Sequence, residues 1–151
     1  MTTTGEDARP LPLIGQAVGQ AQASLTRLLT GILAGTGTSH PVWLGLQRLN
    51  APGGQPSREA YEADLSYWLQ LDGPAAARLA DDVAAAGLAA SGDDGSIALS
   101  AGGRALREEV LAASAKVTGP MLATIDRADL DITIRTLEKI TRLASNTEGS
   151  R

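Results

Sequence analysis

Residues 71–106 read LDGPAAARLADDVAAAGLAASGDDGSIALSAGGRAL, and this stretch decides how the rest of the chain is arranged. Leu71-Asp72-Gly73 forms a tight turn into a helix. Asp72 is placed to accept from N–H groups of the first helical turn, and its charge suits the positive helix end. Pro74 fits that turn, because the N–H it lacks had no partner there. The spacing predicts a helix from Pro74 to Ala86 that turns Leu79 and Val83 inward at i, i+4 and stops at Gly87. Leu88–Ser91 and Ser96–Leu99 are predicted to pair as a ribbon. Asp93-Asp94-Gly95 supplies its turn, since short polar side chains and Gly tolerate the required dihedrals. A new helix opens after Ser100.

Outward from this stretch the chain is helical on both sides. Ile14, Val18, Ala21, Leu25, Leu28, Leu29 and Ile32 recur at helical spacing and predict a first helix from Leu13 to Ala34. Gly35-Thr36-Gly37 reads as its stop signal and not as a phosphate loop, because it follows a helix instead of a strand. Ser39 is the expected N-cap of a short second helix, Val42 to Leu49, with Pro41 in its first turn. Ala51-Pro52-Gly53-Gly54-Gln55-Pro56 is a loop. Ser57 then caps a third helix carrying Ala60, Leu65, Trp68 and Leu69. After the ribbon, Leu106, Val110, Val117, Met121 and Ile125 share one face of a long helix, and Gly119-Pro120 predicts a kink or break in it. Asp126 caps a last helix with Leu130, Ile134, Leu137 and Ile140, and the polar tail from Ser145 is expected to fray. The predicted fold is mainly α with a small β-hairpin wing: a winged helix-turn-helix between long terminal helices.

The composition narrows the chemistry. A chain of 151 residues is expected to form one domain, and with no Phe its core must be built from Ala, Leu, Val and Ile. The absence of Cys excludes disulfides, thiolate zinc sites and cysteine nucleophiles, and a single His argues against a multi-histidine metal site. No cofactor is implied. The N-terminal MTTTGEDARPLP is polar and acidic, unlike a signal peptide, and no apolar run approaches the ~20 residues of a membrane span, so a cytoplasmic protein is expected. Basic residues are 11 Arg against 2 Lys, a bias that suits a GC-rich genome. The net charge is −4, and residues 57–107 alone hold 4 Arg against 8 carboxylates.

At this point the chain resembles the MarR family of bacterial transcriptional regulators, over residues 11–145. The order of long helix, helix-turn-helix, wing and two long helices is similar throughout. Arg78-Leu79-Ala80-Asp81-Asp82-Val83 followed by Gly87-Leu88 resembles the end of that family's recognition helix. Leu99-Ser100-x-x-Gly103-Arg104-x-Leu106 resembles its signature after the wing. The resemblance implies a single MarR-like domain over 1–151, with a DNA-binding lobe at 39–107 and dimerisation helices at 11–35 and 104–145. It implies a homodimer whose two recognition helices, about one DNA turn (~34 Å) apart, read a pseudo-palindromic operator on double-stranded DNA. The sequence supports the dimer separately, since wide apolar stripes at both ends of a small chain need burial. By position, Gly73, Pro74, Ala75, Ala76, Ala77, Arg78 and Asp82 would lie on or beside DNA, with Ser96 on the wing and Arg104 just after it.

The sequence also departs from the family pattern. Members usually carry Asp-x-Arg at the wing, whose Arg enters the minor groove, whereas Gly92-Asp93-Asp94-Gly95-Ser96 has none. Asp82 stands where the family often has a basic residue. Three consecutive Ala offer thymine methyls a contact but read no donor or acceptor pattern. Phosphate contacts, which supply most non-specific affinity, fall to Arg78, Arg104, Arg107, Arg58 and Arg48. Arg78 either contacts DNA or pairs with Asp81 or Asp82, and Arg104 either holds Asp94 or a phosphate.

The acidic pairs Asp81/Asp82, Asp93/Asp94 and Glu108/Glu109 read as solvated surface, because adjacent helical side chains do not converge on a substrate. No catalytic constellation is found, so an enzyme is not expected. His40, Trp43 and Trp68 are candidates for a small aromatic ligand's pocket, as the family implies, against the plainer reading that Trp43 and Trp68 pack in the core. Two readings follow. One is a dimeric regulator tuned by an apolar or aromatic ligand. The other, motivated by the acidic reading face, is a winged-helix dimer that has lost DNA binding and serves as a protein-interaction module.

Overall fold

Short polar side chains open four of the helices and set the layout of the chain. In the computed structural model, which describes residues 12–50 and 55–149, α1 spans Pro12–Ala34, α2 His40–Leu49, α3 Arg58–Leu69 and α4 Gly73–Ala85. The hairpin β1 Ala89–Ser91 and β2 Ile97–Leu99 follows, then α5 Ala101–Leu122 and α6 Arg127–Glu148. Ser39 Oγ accepts from the Val42 N–H at 3.4 Å, Ser57 Oγ from Ala60 at 3.1 Å, Asp72 Oδ1 from Ala75 at 2.7 Å and Asp126 Oδ1 from Ala128 at 2.9 Å. Each satisfies an N–H that the helix itself leaves without a partner. All four caps are where the sequence predicts them. Part of the predicted 51–56 loop, residues 51–54, lies outside the described residues, as does the N-terminal stretch through Leu11.

The chain divides into two compact units, one up to Leu111 and one from Ala112 onward. In the first, α2, α3 and α4 pack on one another and on the hairpin. Leu46, Leu65, Leu79, Val83, Ile97 and Val110 are buried at its centre. Tyr61 joins them, and its hydroxyl donates to the Gly45 carbonyl at 2.7 Å. Burial pushes the Tyr61 phenol well above its usual pKa, so it remains a neutral donor. A Cβ at Gly45 would stand 2.9 Å from Val83 Cγ2, so the missing side chain lets α2 approach α4. The sequence reading of α3 is corrected here. Trp68 and Ala60 are exposed, whereas Leu65 is buried, Leu69 packs on the core, and Tyr61, one turn before Leu65, joins them.

Helix ends carry the turns. Gly87, at φ +75°, closes α4 with the Gly87 N–H on the Ala84 carbonyl (2.9 Å) and the Leu88 N–H on the Val83 carbonyl (3.2 Å), the paired arrangement of a Schellman stop. At the end of α3 the same left-handed conformation falls on Gln70, φ +54°. A side chain there costs about 1–2 kcal/mol. Gln70→Gly is therefore expected to raise stability by about 0.5 kcal/mol after the added flexibility of the unfolded chain is deducted. A urea midpoint that falls instead of rising would contradict this.

The hairpin pairs Ala89 with Leu99, Ala90 with Ala98 and Ser91 with Ile97. A third segment lies along it: Ser57 bridges Ser96, and the Ile97 N–H donates to the Pro56 carbonyl at 2.9 Å. The predicted kink or break at Pro120 is not a break. Pro120 lies in the last turn of α5, which runs on to Leu122, so only one late backbone bond is forfeited. Ile125 lies beyond that helix, in the turn to α6. The tail expected to fray from Ser145 is instead helical to Glu148, with Ser145 Oγ donating to the Thr141 carbonyl at 3.0 Å. No described helix is long and apolar enough to cross a membrane.

Candidate nucleic-acid interface

α4 has two faces with different work. Ala76, Leu79, Ala80 and Val83 pack inward against α2 and α3. Pro74, Arg78, Asp81, Asp82 and Ala85 are exposed on the opposite side, with Ala75 and Ala77 half-buried between them. This corrects the sequence reading of the alanine run. Ala76 is 0% exposed and belongs to the core, so it has no surface to present to a base. Its spacing to Ala80 and Val83 already places it on the inward stripe.

Four arginines were candidates for phosphate contact besides Arg78, and carboxylates pair with two of them, Arg48 and Arg58. Arg58 Nε donates to Glu62 at 2.5 Å, and its Nη2 donates to Asp81 at 2.8 Å and to the Ala77 carbonyl at 3.1 Å. Its own N–H donates to the Gly95 carbonyl at 3.1 Å. One residue thus ties the wing turn, α3 and α4 together. Its guanidinium pKa is raised by the bond to Asp81 first and the bond to Glu62 second. Arg48 forms a two-pronged pair with Asp64, at 2.7 and 2.9 Å, and lies 4.9 Å over the Trp68 ring. Arg104 donates to the Leu99 carbonyl at 3.0 Å. The expected bond from Arg104 to Asp94 is therefore replaced by one to the backbone at the base of the wing. Arg107 is half-buried, and its Nε has no hydrogen-bond partner.

Arg78 is the arginine of the outward face of α4. It is exposed, and among the described residues it has no carboxylate partner; Asp81 is held by Arg58 instead. The alternative of a local Arg78–Asp81 pair is thereby answered. The sequence hid this allocation because Arg58 and Asp81 are 23 residues apart and meet only when α3 crosses α4.

The wing tip is self-contained. Ser96 donates to Asp94 Oδ1 through its N–H at 3.0 Å and its hydroxyl at 2.5 Å. These bonds, the hydroxyl's first, hold the Asp94 carboxyl below its usual pKa, so the tip carries negative charge. Ser96 is turned to that task instead of outward. At the wing base the Ser100 hydroxyl donates to the Gly87 carbonyl at 2.5 Å and accepts from the Gly103 N–H at 3.0 Å. A Cβ on Gly103 would overlap the Leu88 carbonyl oxygen and stand 3.1 Å from its carbon. Ser100 and Gly103 are thus the pair that seats α5 against the end of α4.

The candidate ligand residues do not share a surface. Trp43 is 4% exposed and part of the core, whereas Trp68 is 46% exposed, edge-on to Tyr67 and beneath Arg48. His40 is half-exposed at the first turn of α2. The expectation that the two tryptophans line one pocket is corrected: one is spent on packing and the other faces solvent. Among the described residues no group of three His, Asp or Glu is placed to hold a metal.

No family model matches the chain, and no curated protein matches it. Solved structures do. A MarR family protein from Bacillus stearothermophilus superposes with a TM-score of 0.72 at 20% identity, covering 93% of this chain and 99% of that one. A MarR family transcriptional regulator from Rhodococcus sp. RHA1 gives 0.69 at 18% identity, covering 89% and 96%. A Mycobacterium tuberculosis MarR family protein solved in complex with DNA gives 0.63 at 23% identity, covering 87% and 98%, and that protein was also solved with p-aminosalicylic acid. The fold of this chain is the MarR winged-helix fold.

Proposed function

We propose that this chain is a homodimeric transcriptional regulator of MarR type that reads double-stranded DNA with α4 and carries out no catalysis. The observation that carries the reading is the outward face of α4, where Arg78 is exposed and has no carboxylate partner among the described residues, while Arg48 and Arg58 are paired with acids within the fold. A solvated guanidinium on an exposed helix of a winged-helix lobe is the group best suited to a guanine edge or a phosphate. The DNA complex of the M. tuberculosis neighbour supports the same use of the fold.

Dimerisation is supported by burial. α6 is 22 residues long and has no buried residue, with Ile132, Ile134, Leu137, Ile140 and Leu143 exposed. On α1, Ile14, Val18, Leu25 and Leu28 are exposed at helical spacing. A helix of that kind gains its stability from an apolar face buried on something else. Light scattering at micromolar concentration is expected to give twice the chain mass of 15.5 kDa, and a monomer would contradict the dimer.

Control by a small aromatic acid is the finer part of the proposal, supported by the p-aminosalicylic acid complex of the neighbour. Such a ligand acts by binding one spacing of the two reading helices more tightly than the other. Selection of genomic fragments by the purified protein tests the function itself. Reproducible enrichment of a pseudo-palindrome supports a regulator. No retained DNA, even at low salt, would turn the reading to the protein-interaction module.

A further inference from the structure

We propose that Asp82 is a base-reading residue that selects cytosine within each operator half-site, an inference that rests on the DNA-binding reading above. Asp82 is exposed on the outward face of α4, one helical turn beyond Arg78. It differs from the neighbouring acid in one decisive respect. Asp81 is held by Arg58, whereas among the described residues no cation pairs with Asp82. Its carboxylate has only water to lose when the helix enters a groove.

That loss sets the chemistry. A carboxylate brought among phosphates without a donor is destabilising, both by repulsion and by desolvation. The major groove offers two kinds of donor, the N4 amino group of cytosine and the N6 amino group of adenine. Beside adenine N6 lies the N7 acceptor, whose lone pair repels a carboxylate oxygen. The cytosine edge presents the amino donor with no acceptor of its own, so cytosine is the base that a carboxylate accepts from. Four residues along a helix advance ~6 Å, against ~3.4 Å per base pair, so Arg78 and Asp82 address base pairs about two steps apart. Arg78 supplies attraction and Asp82 supplies discrimination. With a wing that is acidic at Asp93 and Asp94, phosphate attraction adds little affinity, and the penalty on wrong sequences sets the specificity.

Selection from a random double-stranded pool, read by sequencing, tests this with wild-type protein, Asp82→Ala and Asp82→Asn. Wild type is expected to prefer cytosine at one position of each half-site by about 5- to 100-fold. Asp82→Ala flattens that position and binds unrelated DNA more tightly. Asp82→Asn moves the preference at that position to adenine, because an amide both donates to N7 and accepts from N6. The remaining positions and the melting temperature stay as in wild type, since the side chain is exposed. A cytosine preference retained by either variant, or a wild-type motif with no such position, overturns the proposal while leaving DNA binding intact. A wild-type protein that is folded and enriches nothing overturns both readings.

Discussion

Gly103→Ala is expected to destabilise the winged-helix lobe by about 3 kcal/mol, which for a chain of this length lowers Tm by roughly 10 °C. The added methyl has nowhere to go. It would overlap the carbonyl oxygen of Leu88, a backbone atom fixed by its bond from the Ser100 N–H at 3.1 Å. Relief requires α5 to lift from the end of α4, which breaks the link from the Gly103 N–H through the Ser100 hydroxyl to the Gly87 carbonyl. Val110 and Leu106, further along α5, pack on the same core and lose burial when it lifts. Differential scanning calorimetry of wild type and variant reads the shift. A Gly102→Ala control, whose Cβ would meet the Gly87 carbonyl oxygen at 3.0 Å, is expected to cost much less. Equal melting temperatures for wild type and Gly103→Ala would show that α5 is not seated this way.

Arg78→Ala is expected to weaken binding to the selected operator by about 100-fold, as a prediction conditional on the proposed function. Loss of one base-contacting arginine costs about 1–3 kcal/mol, and a symmetric dimer loses it twice. The variant should fold normally, because the side chain is exposed and pairs with no carboxylate among the described residues. Arg78→Lys separates two modes of contact. Substantial retained affinity marks a phosphate contact, whereas loss close to that of Ala marks a two-pronged contact to guanine, which an ammonium cannot reproduce. An Arg78→Ala protein that binds its operator unchanged would show that α4 is not the reading helix.

The fold was legible because its signals are local. Asp72, Pro74 and Gly87 frame α4 by the chemistry of helix ends, and Asp93-Asp94-Gly95 turns the wing, so the order of elements follows from short stretches. The resemblance rested on Leu99-Ser100-x-x-Gly103, and the structure supplies its physical reason in the Ser100 hydroxyl and the missing Gly103 side chain. The arginine partners were not legible. Arg48 and Asp64 are 16 residues apart and become neighbours only through the packing of α2 on α3. Helical phase places Ala76 on the buried face, which the three alanines taken as one block do not reveal. Trp43 and Trp68 illustrate the same limit, since composition marks both as candidates and only packing separates a core residue from a surface one. Gly119-Pro120 predicts a kink or break, and no break follows because a proline in the last turn of a helix forfeits little.

On the proposed function, α4 reads DNA with few phosphate contacts around it. Fluorescence anisotropy of the selected operator across a salt series tests it most directly. Each neutralised phosphate contributes about 0.9 to the slope of log affinity against log salt. With Arg78 on α4 and Arg104 at the start of α5 exposed and without a carboxylate among the described residues, and with an acidic wing, a dimer is expected to bind its operator in preference to a scrambled duplex with a shallow slope of about −2 to −4. Equal binding of operator and scrambled duplex, with a steep slope near −10, would contradict it.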